Sequence, residues 1–135
     1  MIISGNTPAH LQQAAQALCA GELLGLPTET VYGLAADASQ EMAVAKIFQA
    51  KGRPPNHPLI VHVASLAAVN NFVSEVPAFA QALMTQFWPG PLTLILPRLP
   101  DTAVAAAGGQ NSVGLRCPSH PIALAVLKAC ADKGV

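Results

Sequence analysis

Four groups of polar residues stand at the ends of apolar runs in this chain, and each could do chemistry. Lys51 and Arg53 flank Gly52 where a helix-like stretch breaks, with Lys46 preceding them. A guanidinium fork and a point-charge ammonium at that spacing can both be aimed at one polyanion. Compensation of a helix C-terminus, worth roughly 0.3–1 kcal/mol per charge, is the plainer reading, and the two are compatible. Thr28-Glu29-Thr30-Val31-Tyr32 is a dense polar cluster between apolar runs. It puts hydroxyls at a strand mouth, where α/β domains bind ligands. Taken alone, hydroxyls satisfying backbone groups in a turn explain it as well. His62 sits in an otherwise apolar strand, a setting where histidine is more often a satisfied core residue than a ligand. In Asn111-Ser112-Val113-Gly114-Leu115-Arg116, the arginine falls on the face opposite Val113 and Leu115. A buried arginine requires an anion. Glu29 and Asp37 are the internal candidates, and a substrate carboxylate is the sharper choice.

Other chemistries lack their signatures. There is no G-x-x-x-x-G-K-[ST] loop, no G-x-G-x-x-G and no nucleophile elbow. The four histidines form no H-E-x-x-H and no tight ligand pair, so no metal site is expected. Three cysteines without C-x-x-C spacing, behind an N-terminus with no leader-like segment, predict reduced thiols in a cytoplasm. Seven basic residues balance seven acidic ones, so no net field draws nucleic acid or an anionic membrane. Any anion must be met by locally placed cations. The apolar stretches fall far short of the ~20 residues of a membrane-spanning helix. With 135 residues and a hydrophobic share of 52%, the chain has material for one core, built from Leu, Val, Ile and Ala because aromatics are only 4%.

The elements that must hold these groups alternate. Thr7 and Pro8 start a first helix, with Leu11, Ala14, Ala15 and Leu18 at helical spacing and Gly21 as its left-handed stop. Residues 23–26 read as a buried strand stopped by Pro27. Ser39 is a cap for a second helix reaching about Ala50, broken by Gly52 and the Pro54-Pro55 pair. Pro58–Val63 reads as a strand with Leu59, Val61 and Val63 on one face and Ile60 and His62 on the other. Helical stretches are predicted over Leu66–Val73 and Pro77–Phe87, a strand over Leu92–Leu96, an aperiodic stretch over 98–111 and a strand over Ser112–Arg116. A last helix is expected over Pro121–Asp132, with Gly134-Val135 turning into a further strand. Interleaved strands and helices make an α/β domain.

Five motifs then occur in a fixed order: Leu26-Pro27-Thr28-Glu29-Thr30-Val31-Tyr32-Gly33-Leu34, Lys51-Gly52-Arg53-Pro54, Pro58-Leu59-Ile60-Val61-His62-Val63, Trp88-Pro89-Gly90-Pro91-Leu92-Thr93 and Val113-Gly114-Leu115-Arg116-Cys117-Pro118. In this order they resemble the YrdC-like family, the threonylcarbamoyl-AMP synthases. The resemblance implies an open, twisted mixed sheet flanked by helices, with a large concave, positively lined cavity. It implies that L-threonine, bicarbonate and ATP yield threonylcarbamoyl-AMP and pyrophosphate, for threonylcarbamoyladenosine modification of tRNA at position 37. By similarity, Thr30, His62 and Arg116 would bind L-threonine. Lys51, Arg53, His57 and Ser112 would bind ATP, with Lys51 and Arg53 the catalytic pair; relatives often carry Asn where this chain has His57. Thr28 and Tyr32 would shape the pocket. Mg²⁺ would be held mainly through phosphate oxygens, and the product would pass to a downstream tRNA-modifying transferase complex.

Relatives continue past the position of Val135 into a strand and a Ser-x-Asn motif, so residues 1–135 are expected to form a single YrdC-like domain incomplete at its C-terminus. Three further readings are carried: a weak tRNA or double-stranded RNA binding module of the same fold, the related carbamoyl-transfer domain of hydrogenase maturation proteins, and an inactive fragment.

Overall fold

A computed structural model describes residues 1–130 and 133–135. Helix α1 (Pro8–Cys19) begins as its sequence predicts: the Thr7 hydroxyl accepts the His10 N–H at 3.3 Å, and Pro8 occupies the first turn. It ends at Ala20, with Gly21 following at φ +83° and donating to the Leu18 carbonyl. Strands β1 (Leu24–Pro27) and β2 (Tyr32–Ala35) pair antiparallel from Leu24↔Ala35 to Pro27↔Tyr32, so residues 28–31 are the loop of a hairpin.

Helix α2 (Glu41–Lys51) differs from expectation at its start. Gln40 holds the cap position without a side-chain cap bond. Ser39 turns back instead, its N–H and hydroxyl both donating to Asp37 at 2.9 and 2.6 Å. Gln40 supplies the other Asp37 oxygen at 2.9 Å, so the buried carboxylate is satisfied locally, which outweighs capping. At the far end Gly52 adopts φ +63° and the Arg53 N–H reaches the Phe48 carbonyl at 3.0 Å. This left-handed stop leaves Lys51 in the last turn of the helix and Arg53 just beyond it.

Strand β3 (Ile60–His62) is shorter than predicted. A 3₁₀ helix (Ala67–Asn71) replaces the expected helical stretch there, followed by α3 (Ala78–Phe87), β4 (Leu94–Pro97), β5 (Ser112–Arg116) and α4 (Pro121–Ala129). The last helix therefore stops before the predicted boundary, and Asp132 lies outside the described residues. Strand β5 is central in a mixed sheet of order β3-β5-β4, parallel to β3 and antiparallel to β4. On the free edge of β3, His62 and Val135 exchange both backbone hydrogen bonds, at 2.7 and 3.1 Å. Gly134 makes that approach possible, with φ +78° and no room for a Cβ, which would lie 2.5 Å from Phe72 and 2.8 Å from Val61.

The sheet is two-faced, and this positions the chemistry. Val61, Val113, Leu115, Leu94 and Leu96 point into the main core with Phe48, Phe72, Met84 and Trp88. Each such side chain contributes about 1.5–3 kcal/mol on burial. A second core joins α1, α4 and β1 through Leu18, Leu26, Val126 and Leu127. The opposite sheet face carries Ile60, His62, Ser112, Gly114 and Arg116, register partners being Ile60↔Gly114 and His62↔Arg116.

The aperiodic stretch 98–111 is ordered by backbone contacts. Arg98 donates to the carbonyls of Gln110, Leu99, Pro100 and Thr102, and the Leu59 N–H reaches the Ala106 carbonyl at 2.7 Å. Gly108, at φ +63°, lies so close to Asn56 that a Cβ would stand 2.7 Å from its carbonyl oxygen; Gly109, at φ +77°, faces open space. Gly109→Ala should therefore cost about 1 kcal/mol and Gly108→Ala at least about 1 kcal/mol more, because backbone cannot move aside as a side chain would. Urea unfolding of the two variants measures the difference.

Candidate active site

The hairpin loop is built on Thr28. Its hydroxyl donates to the Val31 carbonyl at 2.7 Å and receives the Val31 and Thr30 N–H groups at 3.2 and 3.3 Å. The turn-satisfying role weighed for Thr28 is therefore met. Its Oγ1 also lies 3.0 Å from Thr30 Oγ1, and Thr30 faces away from the loop backbone toward β5.

There it meets Arg116. The guanidinium pairs through Nη2 with Glu29 Oε1, points Nε at the Gly90 carbonyl at 3.4 Å and brings Nη1 within 3.5 Å of Thr30 Oγ1. Burial pulls its pKa below the ordinary arginine value, yet an arginine remains charged. Its anion is thus Glu29, one of the two internal candidates, while Asp37 is held by Ser39 and Gln40. The Glu29 Oε2 atom accepts from both the N–H and the hydroxyl of Ser119. The internal partner weighed beside a substrate carboxylate is therefore present, and a resident carboxylate already neutralises the charge.

Between α2, β2 and β3 lies a cavity of about 250 Å³. Its walls are mainly apolar, with Leu34, Val44, Ile47 and Leu59 among them, and Thr28, Lys51, Arg53 and His62 also line it. Lys51 and Arg53 are solvent-exposed, and among the described residues neither side chain makes a hydrogen bond or ion pair. Lys46 does not join them. Its ammonium donates to the Gly21 carbonyl at 2.7 Å, closing the end of α1. Arg116, Thr30, His57 and Ser112 do not line the cavity. Arg116 and Thr30 adjoin it instead, through the Thr28–Thr30 contact and the His62↔Arg116 register pair. His57 is exposed, its N–H bonded to the Pro54 carbonyl at 3.1 Å. Ser112 shares the outer sheet face with Arg116, four residues along β5. Among the described residues, no group of three or more His, Cys, Asp or Glu side chains could hold a metal ion.

Comparison with known proteins gives this arrangement a context. The family model described as Sua5/YciO/YrdC, telomere recombination, matches residues 16–133. The chain belongs to that family. The threonylcarbamoyl-AMP synthase of Bacillus subtilis (strain 168) is 46% identical over 127 residues, covering 93% of this chain and 36% of that protein. The enzyme of the same name from Pyrococcus abyssi is 47% identical over 108 residues, covering 80% of this chain and 32% of that protein. The chain therefore spans roughly a third of the length of these curated relatives. The crystal structure of P. abyssi Sua5 complexed with L-threonine superposes with a TM-score of 0.89 at 41% identity, over 97% of this chain and 38% of that one. E. coli YciO superposes at 0.81 with 25% identity, over 93% of this chain and 61% of that one. The α/β fold with a mixed sheet and flanking helices is that of the Sua5 and YciO structures.

Within this family frame, the site residues missed in the sequence are Ser119, which donates to Glu29, and the Gly90 carbonyl, which faces Arg116. Only the Trp88-Pro89-Gly90-Pro91 motif carried a signal for the second; Ser119 reads as an ordinary residue before a helix.

His62 is the titrating group of the site. Burial lowers its pKa below 6.5, opposed in smaller measure by hydrogen bonds with the backbone of Ile60 and Val135. The folded chain thus favours the neutral imidazole. Since the folded pKa is the depressed one, the stability this contributes is present above the unfolded value of about 6.5 and lost as pH falls through the folded value. Urea midpoints measured from pH 7.5 down to 5 should fall more steeply for the native chain than for His62→Asn. Equal slopes would mean that the ring is not held neutral.

Proposed function

We propose that this chain carries threonylcarbamoyl-AMP synthase chemistry, joining L-threonine, bicarbonate and ATP into threonylcarbamoyl-AMP with release of pyrophosphate. The observation that carries the reading is the meeting of Thr30, His62 and Arg116, from three separate segments, in a chain 41% identical to a protein solved with L-threonine. A buried guanidinium beside a hydroxyl and a neutral imidazole suits an α-amino acid: the carboxylate on the donors of Arg116 not already engaged, the threonine hydroxyl and amine near Thr30 and His62.

The nucleotide would lie along the exposed side of the cavity, with Lys51 and Arg53 against its phosphates and His57 and Ser112 as further contacts. No protein nucleophile is required. The threonine amine captures bicarbonate with loss of water, or CO₂ with loss of a proton, to give a carbamate, and a carbamate oxygen attacks the α-phosphorus while pyrophosphate leaves. The residues contribute positioning and charge stabilisation: Arg116 fixes one reactant, and Lys51 and Arg53 offset the charge that develops on the departing pyrophosphate. The described residues do not fit a resident metal. Mg²⁺ would arrive with ATP, held by phosphate oxygens, and no residue is assigned to it.

The product would feed threonylcarbamoyl transfer to adenosine 37 of tRNA by a separate transferase complex, in the cytoplasm. Weak tRNA binding is compatible with that task. A dedicated RNA-binding module is not favoured, because positive and negative residues balance seven to seven and the exposed site cations described above are only two.

The test is pyrophosphate release by the gene product carrying these 135 residues. Release should require ATP, bicarbonate and L-threonine together; release indifferent to threonine would overturn the reading. Arg53→Ala should raise the KM for ATP about tenfold, the loss of one charge-assisted contact. Arg116→Ala should raise the KM for threonine about a hundredfold with little change for ATP, as when a buried charge partner is removed. Equal effects of both variants on ATP would contradict the assigned roles.

A further inference from the structure

Two groups gathered around Arg116 have no part in the reaction as proposed: the Glu29 carboxylate and Ser119. We propose that Glu29, itself held by Ser119, is a positioning residue that sets the plane of the Arg116 guanidinium for the carboxylate of the amino-acid substrate, an inference resting on the substrate reading above.

A guanidinium is planar, with five donors in a fixed fork, but the chain that carries it is long and rotatable. Here the plane is fixed at two places. Nη2 is bound by Glu29 Oε1, and Nε faces the Gly90 carbonyl at 3.4 Å. The Nη1 side is left facing Thr30, at 3.5 Å. Donors on that side are oriented before any ligand arrives, which removes an ordering cost from binding. Glu29 must itself be tethered to serve in this way. Its second oxygen takes two donors from Ser119, which lies between β5 and α4. Three segments distant in sequence therefore converge: the hairpin loop, the Gly90 loop and the connection from β5 to α4.

The opposite reading makes Glu29 a competitor that must leave before a carboxylate binds. The bonds that Glu29 already makes weigh against it. The Arg116 side chain is 10% exposed and that of Glu29 20%. Withdrawing Glu29 would break its bonds to three donors and leave the nearly buried cation to the incoming carboxylate alone, with no net gain of pairing. The pair is also neutral as a unit. It therefore suits a zwitterion, which brings its own positive group, better than a simple anion.

The two readings differ in sign, which makes the test decisive. L-threonine and ATP binding are measured by calorimetry on the gene product, native and as Glu29→Gln, Glu29→Asp and Ser119→Ala. Glu29→Gln keeps the shape and removes the charge; it should weaken threonine binding about tenfold, the size of one charge-assisted hydrogen bond, and leave ATP binding unchanged. Glu29→Asp, retaining the charge on a shorter stem, should recover part of that loss. Ser119→Ala removes only the hydroxyl donor and should weaken threonine binding severalfold, with no further loss when combined with Glu29→Gln. Unchanged threonine binding in Glu29→Gln would overturn the proposal, and tighter binding would establish competition instead. Should Glu29→Gln fail to fold, Ser119→Ala decides: an unchanged threonine affinity there overturns it. A native protein that binds ATP but no threonine would remove the substrate reading itself, a result distinct from any variant effect.

Discussion

The pairing of Glu29 with Arg116 is the contact on which the arrangement of this molecule depends. It joins residues 87 positions apart and ties the β1–β2 hairpin to the three-stranded sheet, two pieces that share no backbone ladder. A guanidinium on a buried strand cannot stand without a counter-charge, and the cost of removing either member exceeds the gain of making the pair from water. The pair is better read as a device for specificity of place than as a source of stability. It dictates where the hairpin loop must sit, and the loop carries Thr28 and Thr30 to the sheet face and the cavity wall.

The small stock of charge makes the placement of each cation informative. Of the seven basic residues, Lys46 caps the end of α1, Arg98 gathers the carbonyls of the 98–111 stretch and Arg116 is matched by Glu29. Three are thus committed to holding the chain in shape. Lys51 and Arg53 differ: they are exposed, bound to nothing among the described residues, and set at the mouth of a mainly apolar cavity. Helix-end compensation accounts for Lys51, which stands in the last turn of α2. It does not account for Arg53, already past the left-handed Gly52 and directed by the turn rather than by the helix.

Much of this was legible in the residues, and what was not follows a pattern. Strand β5 matched its expected bounds, and the two faces of β3 were as read, because period-two alternation leaves little freedom once one face is buried. Helix α1 announced its cap, its first-turn proline and its glycine stop. Errors arose where a side chain had two partners within reach. Ser39 is a good cap by type but chose the buried Asp37. Local pattern cannot rank such competitors, since the winner depends on burial that only the fold creates. The same limit applied to Arg116. The need for an anion was deducible from its strand, and Glu29 was among two internal candidates, but choosing it required the hairpin to be placed.

That limit also explains why the motifs, taken singly, said little about function. Thr28 and Thr30 have the same type and nearly the same position, yet one hydroxyl is engaged by its own loop and the other is turned to Arg116. Their difference lies in which way a four-residue loop carries each side chain, a matter settled by the Pro27↔Tyr32 pair that closes the hairpin and by Glu29 between them. The two hydroxyls nonetheless touch, at 3.0 Å, so Thr28, which lines the cavity with Lys51 and Arg53, is linked through Thr30 to the guanidinium. One short loop therefore joins the cation-lined cavity to the arginine beside it. The proposed nucleotide and amino acid would meet across that contact, as a reaction between them requires.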